Sequence, residues 1–466
     1  MADQAKFLTG SLMRHVVVMS STASLGLMAV FLVDFIDMVF ISMLGKAELA
    51  AAVGYAGSIL FFTTSISVGL AIAAGALVSR ALGAGDEARA RSIASHVLAI
   101  GFGFAVLFAA LVWFNLRSLS ALVGASGETL ELAVGYLSII VPSMPMLMIG
   151  MAAGAVLRGH GDAGRAMWAT IAGGAVNAVL DPILIFGLDL ELTGAALASV
   201  AARFTIMVVA LIPIFRHYGG LEPPDLRALM ADFRPVAGIA FPAMLTNIAT
   251  PVGAAYVTRE MSQFGEEAVA GMAIVGRLTP VTFAVIFALS GAIGPIIGQN
   301  FGAGRFDRVR GAFRDGLLFV ALYTLVASGV LYLLRGPLQA LFAAEGLSRE
   351  LLFLFCGPLA LAWFFNGAIF VGNAAFNNLG HPFYSTTINW ARNTAGTIPL
   401  VALGGLWFGA PGVLIGQALG GVIFAILGYA LARRLIDRME RGTAAKRERP
   451  AFSRRARLME LLHVRR

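Results

Sequence analysis

Asn177-Ala178-Val179-Leu180-Asp181-Pro182 lies inside an apolar run from about Ala166 to Gly187, and ~20 such residues are enough to cross a bilayer as a helix. Charging a carboxylate there costs at least ~2.5 to 3.5 kcal/mol on insertion scales, so an acid kept in the run marks a functional site by default. Asn177 stands one turn before Asp181 on the same helix face, where its amide can donate to the carboxylate or share a ligand with it. The competing reading is a structural pair that holds helices together. A second acid at matching depth weighs against it. Asp34 and Asp37 interrupt the first apolar segment as Asp34-Phe35-Ile36-Asp37-Met38-Val39-Phe40. At about 1.5 Å per residue, Asp37 lies ~10 Å and Asp181 ~9 Å below one membrane surface. Tyr136 and Ser199, on the fourth and sixth segments, fall in the same layer. Desolvation favours the protonated form of a carboxylate, so these groups suit the uptake and release of a proton. A sodium ion at Asp37 and Asp181 is the other candidate.

Composition sets the medium in which those groups act. The chain is 58% hydrophobic and 13% charged with mean hydropathy +0.83, whereas soluble domains carry about 25% charged residues. It is expected to be an all-α integral membrane protein. The single Cys356 excludes a disulfide framework and a cysteine metal site. The first dozen residues contain only Lys6 as a charge before Arg14 apart from Asp3, with no small-residue cleavage site, so the first span is expected to be retained. Twelve of the 34 basic residues follow Leu431. Such a tail meets anionic lipid headgroups or signals topology rather than binding nucleic acid. No cofactor is expected, and the chain is expected to act as a monomer.

Twelve transmembrane helices are expected, at about 15–43, 47–78, 93–115, 129–156, 166–187, 193–215, 235–258, 268–298, 314–334, 350–376, 384–408 and 411–432. Sorting the basic residues among the connections puts 26 of 34 on one side, which the positive-inside rule makes cytoplasmic, together with both termini. A shift of 219 residues superposes Gly75, Gly83-Ala84-Gly85, Arg89 and Arg91 on Gly294, Gly302-Ala303-Gly304, Arg308 and Arg310, and also Glu48 on Glu267 and Gly161 on Gly380. The expected organisation is therefore an N-terminal six-helix bundle (1–215), a cytoplasmic linker (216–234), a C-terminal six-helix bundle in parallel repeat (235–435) and a basic cytoplasmic tail (436–466). Paired bundles of this kind are the build of an alternating-access transporter.

The C-terminal spans carry amides (Asn247, Asn366, Asn373, Asn377, Asn389, Asn393, Gln417) and no acid well within the membrane. Interhelical contacts account for most of them, with Asn366 and Asn373 as candidates for touching cargo in the cleft. Arg203, Arg277 and Arg392 must pair, snorkel or face water. For Arg203 a partner acid or helix end is weighed equally with other roles, and His96 reads as a satisfied interior histidine. The Gly-Ala-Gly turns follow no strand and contain no Gly-Lys-Ser/Thr, so they read as tight connections rather than phosphate loops.

Taken together these pieces resemble the multidrug and toxic compound extrusion (MATE) transporters over roughly residues 13 to 435. The resemblance is carried by Asp37 to Gly45 with Glu48 to Gly54, Gly83-Ala84-Gly85, Leu157-Arg158-Gly159-His160-Gly161-Asp162, Asn177 with Asp181-Pro182, Gly194 to Ser199, and Gln299 to Arg305. The Asn-xxx-Asp-Pro element is similar to the DinF-like branch. That resemblance implies a cation-coupling site at Asp37 and Asp181, with neighbours Tyr136, Asn177 and Ser199, while Asp34 is an acid outside the pattern. Another branch uses acids in the C-terminal half, where this chain has Asn366. The implied function is secondary active export of organic cationic or amphipathic compounds by proton or sodium antiport, in the bacterial inner membrane, with a small organic substrate and membrane lipid as partners. The alternative on the same architecture is a flippase for a lipid-linked precursor, which needs a strongly cationic cavity. An intramembrane aspartyl protease, suggested by Gly159-His160-Gly161-Asp162, lacks a second acid in contact with Asp162.

Overall fold

The computed structural model describes residues 5–223 and 225–448. The described residues form sixteen α-helices, with no strand among them. They are α1 (Leu12–Met43), α2 (Ala47–Gly83), α3 (Glu87–Phe114), α4 (Leu116–Leu122), α5 (Gly127–Ile140), α6 (Met144–Gly159), α7 (Ala163–Pro182) and α8 (Glu191–His217), then α9 (Leu226–Ser262), α10 (Glu266–Thr282), α11 (Ala284–Gly302), α12 (Phe306–Leu341), α13 (Gly346–Leu354), α14 (Ala360–Asn378), α15 (Phe383–Ala391) and α16 (Thr397–Glu448). Several are pieces of one crossing. α5 runs into α6, α10 into α11, α13 into α14, and α15 into α16, which itself turns at Gly409 (φ +65) before Pro411. Twelve crossings result, as the apolar segments anticipate. Leu325, Val326 and Leu333 of α12 are exposed, as are Leu406, Trp407 and Phe408 of α16. Such outward apolar faces suit lipid.

A break leaves carbonyls that lipid cannot satisfy, and at three of these breaks a side chain supplies a donor. Pro142, in the 3-10 turn Val141–Ser143, separates α5 from α6, and Arg203 Nη1 donates to Ile140 O at 3.2 Å. Phe283 separates α10 from α11, and the Tyr323 hydroxyl donates to Thr282 O at 2.7 Å. The π-turn Arg392–Gly396 follows α15, and Thr397 Oγ1 donates to Arg392 O at 2.9 Å.

The face that carries residue 5 is termed proximal and the opposite face distal. At the proximal face the two Gly-Ala-Gly turns meet. A Cβ on Gly83 would lie 1.9 Å from Gln299 O, and one on Gly302 would lie 2.0 Å from Arg80 O. These are the same contact seen from each repeat, since 80 and 83 become 299 and 302 on the shift of 219. Gly85 and Gly304 turn the chain at φ +78 and +67. The tight-connection reading of these glycines holds, and they also let the ends of α2 and α11 cross at backbone contact. Below the crossing sits the segment 5–10. Its Phe7 is fully buried. Phe7 N donates to Gln299 Oε1 at 2.9 Å, Gln299 Nε2 donates to Gly159 O at 2.8 Å, and Phe7 O accepts from Asn300 Nδ2 at 3.1 Å and Arg308 Nη2 at 2.8 Å. Lys6 Nζ reaches Gly161 O at 2.8 Å. The segment 5–10 thus ties helices before residue 217 to helices after 226.

Of the expected linker 216–234, residues 226–234 are the first turns of α9, whose N-terminus Asp225 caps by accepting from Arg227 N and Ala228 N. Asp232 is buried there and bonded to Arg89 and His96, with His96 Nδ1 to Asp232 Oδ2 at 2.7 Å. His96 is therefore a satisfied interior histidine, as expected. The tail from 449 lies outside the described residues.

Candidate ion-coupling site and central cavity

α7 lies between α1 and α8. A Cβ on Gly173 would stand 2.3 Å from Ile206 Cγ1 and 3.0 Å from Ala202 O, so a larger residue would push α7 off α8. This approach brings Asp181 of α7 against Asp37 of α1, carboxyl to carboxyl. Asp181 is fully buried and accepts from Asn177 Nδ2 at 2.9 Å. Its Oδ1 and the Oδ1 of Asp37 are both buried without a hydrogen-bond partner. Tyr136 of α5 meets the hydroxyl of Ser199 of α8 and lies within electrostatic reach of Asp37, Asp181 and Arg203. The five residues singled out from sequence converge. Two carboxyls in contact cannot both carry charge unless a proton or a cation lies between them. Among the described residues no three His, Cys, Asp or Glu side chains converge as a metal site. The donor set is two acids with neutral oxygens, which fits a proton or a monovalent cation better than zinc.

Asp34 sits one turn before Asp37 on an exposed part of α1, feels Asp37 only through its field, and joins none of these contacts. Arg203 is held by Ile140 O and by Ser143 Oγ at 3.0 Å. Its partner is a helix end rather than an acid. Arg392 donates to Asn366 Oδ1 at 2.8 Å.

A cavity of about 230 Å³ lies toward the proximal end of the bundle. Its walls are contributed in register by the two repeats: Ala71 and Ser290, Gly75 and Gly294, Met151 and Phe370, Arg158 and Asn377 stand 219 residues apart, and all line it. The cavity therefore lies on the pseudo-twofold axis. α9, α14 and α15 add Asn247, Asn373 and Asn389. Asn373, a candidate for touching cargo, lines the cavity, whereas Asn366 is engaged with Arg392 and is not among the lining residues. None of Asp37, Asp181, Asn177, Tyr136 or Ser199 reaches the cavity. The acid site and the cavity are separate.

Arg158 is one of the basic residues that the charge sorting counts on the cytoplasmic side, beside the connection after the fourth span, and its place next to that connection agrees with the count. It sits in the last turn of α6 with its side chain lining the cavity. The signal that identifies it is its repeat mate, since Asn377 is an in-span residue. The adjoining Asp162 caps α7 and accepts from Tyr218 at 2.8 Å and from Arg165. Burial works against its charge, but those hydrogen bonds outweigh it and hold Asp162 below the ordinary carboxylate value. His160 stacks on Tyr218 at 4.1 Å, and burial lowers it to about 4. The Gly159-His160-Gly161-Asp162 element is a turn and a cap.

The MatE family profile matches this chain twice, over residues 23–183 and 242–403, with starts separated by the same repeat distance. A protein named FAD transporter from Shewanella oneidensis is 28% identical over 451 residues, covering 95% of this chain and 99% of that protein. Multidrug export protein MepA of Staphylococcus aureus is 23% identical over 412 residues, covering 86% and 90%. A crystal structure of the Vibrio cholerae MATE transporter VcmN superposes with a TM-score of 0.86 at 24% identity, covering 91% of this chain and 97% of that one. With the profile matching both repeats and relatives aligned over nearly their whole length, the chain belongs to the MatE family and is a multi-pass membrane transporter rather than an enzyme.

Proposed function

We propose that this transporter is a secondary active exporter that couples the exit of a small organic compound to the entry of a proton or sodium ion at Asp37 and Asp181. The observation that carries the reading is the contact of these two carboxyls inside the membrane span, with buried and unpartnered oxygens on both. Binding of a cation there removes a repulsion and lets α1 repack against α7. α1 also packs on α11, which lines the cavity, so a change in α1 is transmitted toward cargo. Alternating access is supported by the proximal closure: the α2–α11 crossing and the buried Phe7 seal one face. The excess of basic residues makes that face cytoplasmic by the positive-inside rule, in the inner membrane of a bacterium, with both repeats in one monomer surrounded by lipid.

The names of the Shewanella and Staphylococcus relatives support a small organic cargo. A lipid-linked precursor is less well supported, because its phosphates call for several cations and one arginine lines the cavity. The test is transport by purified protein in proteoliposomes under an imposed pH or sodium gradient. Accumulation of a fluorescent organic compound that either gradient drives, and that Asp181→Asn abolishes, is expected. Transport indifferent to both gradients overturns the reading.

A further inference from the structure

We propose that Arg158 makes the central cavity a receptor for the anionic group of the cargo, a carboxylate or a phosphate ester, rather than for an organic cation. The inference rests on the exporter reading for its physiological meaning, but its chemistry stands on the cavity alone. Among the described residues Arg158 is the only charged one in the wall, and no Asp or Glu accompanies it. Everything else polar there is an amide or a hydroxyl, including Thr246, Asn247, Ser290, Asn373 and Asn377. An organic cation entering this site meets a like charge and no counter-charge.

The other inward guanidiniums are accounted for. Arg203 serves the α5–α6 break, Arg392 donates to Asn366, and Arg80 donates to Asn377 O at 2.5 Å with its guanidinium over the Phe301 ring. The side chain of Arg158 has no hydrogen bond or ion pair, and a Cβ built on Gly291, which also lines the cavity, would stand 3.8 Å from its Nε. A guanidinium left unpaired within a membrane span is costly, and an incoming anion is the partner that removes the cost. Arginine with a carboxylate or phosphate forms two parallel hydrogen bonds, a geometry an ammonium cannot offer. Asn377, at the repeat-equivalent position, accepts from Ser385 Oγ through Oδ1 at 3.3 Å, which leaves its Nδ2 as a further donor. The volume of about 230 Å³ is below the ~300 to 1,000 Å³ of sites that hold a whole drug-sized molecule, so the cavity receives the charged end of a longer cargo. One guanidinium matches one anionic group, which separates this reading from a pyrophosphate-linked lipid.

The test uses two fluorescent probes that share a ring system and differ by one phosphate, riboflavin and flavin mononucleotide, with ethidium as the cationic control. Binding to the full-length protein in detergent is followed by fluorescence anisotropy. Flavin mononucleotide is expected to bind at least about tenfold more tightly than riboflavin and than ethidium. Arg158→Gln is expected to erase that ratio by weakening the phosphate-bearing probe alone, and Arg158→Lys to restore part of it. As a check against misfolding of Arg158→Gln, Asn377→Asp provides a second route: it leaves Arg158 in place, puts a carboxylate into the same cavity, and is expected to remove the preference equally. Carboxyfluorescein repeats the comparison for a carboxylate, so a preference for one anion and not the other identifies which group is read. Equal binding of the two flavins, tighter binding of ethidium, no saturable flavin binding, or a ratio unchanged in both variants overturns the proposal. Failure of gradient-driven transport in proteoliposomes, with the Arg158-dependent ratio intact, instead removes the exporter reading and leaves the anion site standing.

Discussion

At the scale of single residues, the proposed ion coupling rests on Asp37 with Asp181. Asp181→Asn and Asp37→Asn should each reduce gradient-driven transport by at least about tenfold while folded protein remains in the membrane, because an amide keeps the volume and loses the exchangeable proton. Asp34→Asn should be mild, since Asp34 is exposed and touches no member of the cluster. An inactive Asp34→Asn beside an active Asp37→Asn would move the site by one turn. A second residue-scale prediction concerns pH. His160 is lowered by burial from 6.5 to about 4. Between those values the unfolded chain binds a proton that the folded chain does not, so stability falls as pH drops through this window. Asp162, held below its ordinary value, adds loss in the same direction at still lower pH. Thermal unfolding in detergent should show a Tm that declines from pH 6.5 to pH 4, and His160→Gln should flatten the decline. A Tm that rises on acidification, with the same slope in the variant, would exclude His160 as the cause. The acids were legible in the sequence because charge inside an apolar run has no ordinary explanation. Arg158 was not, because a basic residue one position from a span end has several. For Arg203 a helix end was among the partners weighed, but the particular carbonyl was hidden, because Ile140 O becomes free only where the 3-10 turn forms.

At the scale of elements, the proximal seal combines two helices and one short segment. α2 and α11 approach through Gly83 and Gly302, and Phe7 fills the space beneath them. Removing a buried Phe side chain typically costs ~3 to 5 kcal/mol, and here the loss falls on the proximally closed state. Phe7→Ala should therefore raise the proximally open population, and Gly83→Ala should do the same from the helix side by overpacking. The readout is the reaction of Ser79→Cys, at the crossing, with a membrane-impermeant maleimide applied from the proximal side, after the buried Cys356 has been replaced by alanine. Labelling should accelerate by about tenfold for each ~1.4 kcal/mol lost by the closed state. Unchanged labelling in both variants would show that the segment 5–10 plays no part in the seal. The twelve apolar spans could be drawn from hydropathy. A six-residue plug with one aromatic has no periodicity to read, and the start of α9 looked like a loop because its charges are matched in space by Arg89 and His96 rather than along the chain.

At the scale of the whole molecule, the repeat seen in the sequence accounts for the shape of the cavity and also for an asymmetry in it. α2 and α6 are matched by α11 and α14 around the axis, with the same positions facing inward. α1 and α7, which carry the two acids, do not reach the cavity, whereas α9 and α15 of the second repeat do. On the proposed reading a division of labour follows: the first repeat holds the paired acids away from the cavity, and the second lines the cavity with amides. Asn373 donates nothing ionisable, and its Oδ1 accepts from Asn389 Nδ2 at 3.0 Å. Asn373→Ala should consequently change which compounds are exported, by several-fold between probes, and leave the pH or sodium dependence of transport in place. Asn366→Ala should act differently, because it strips Arg392 of its acceptor and leaves a guanidinium unpaired inside the bundle, so loss of folded protein is the expected outcome there. Transport rates for two probes, each measured across a series of imposed gradients, separate the cases. An Asn373→Ala protein that still binds cargo but has lost its response to the gradient would mean that ion coupling runs through the amide-lined cavity and not through Asp37 and Asp181.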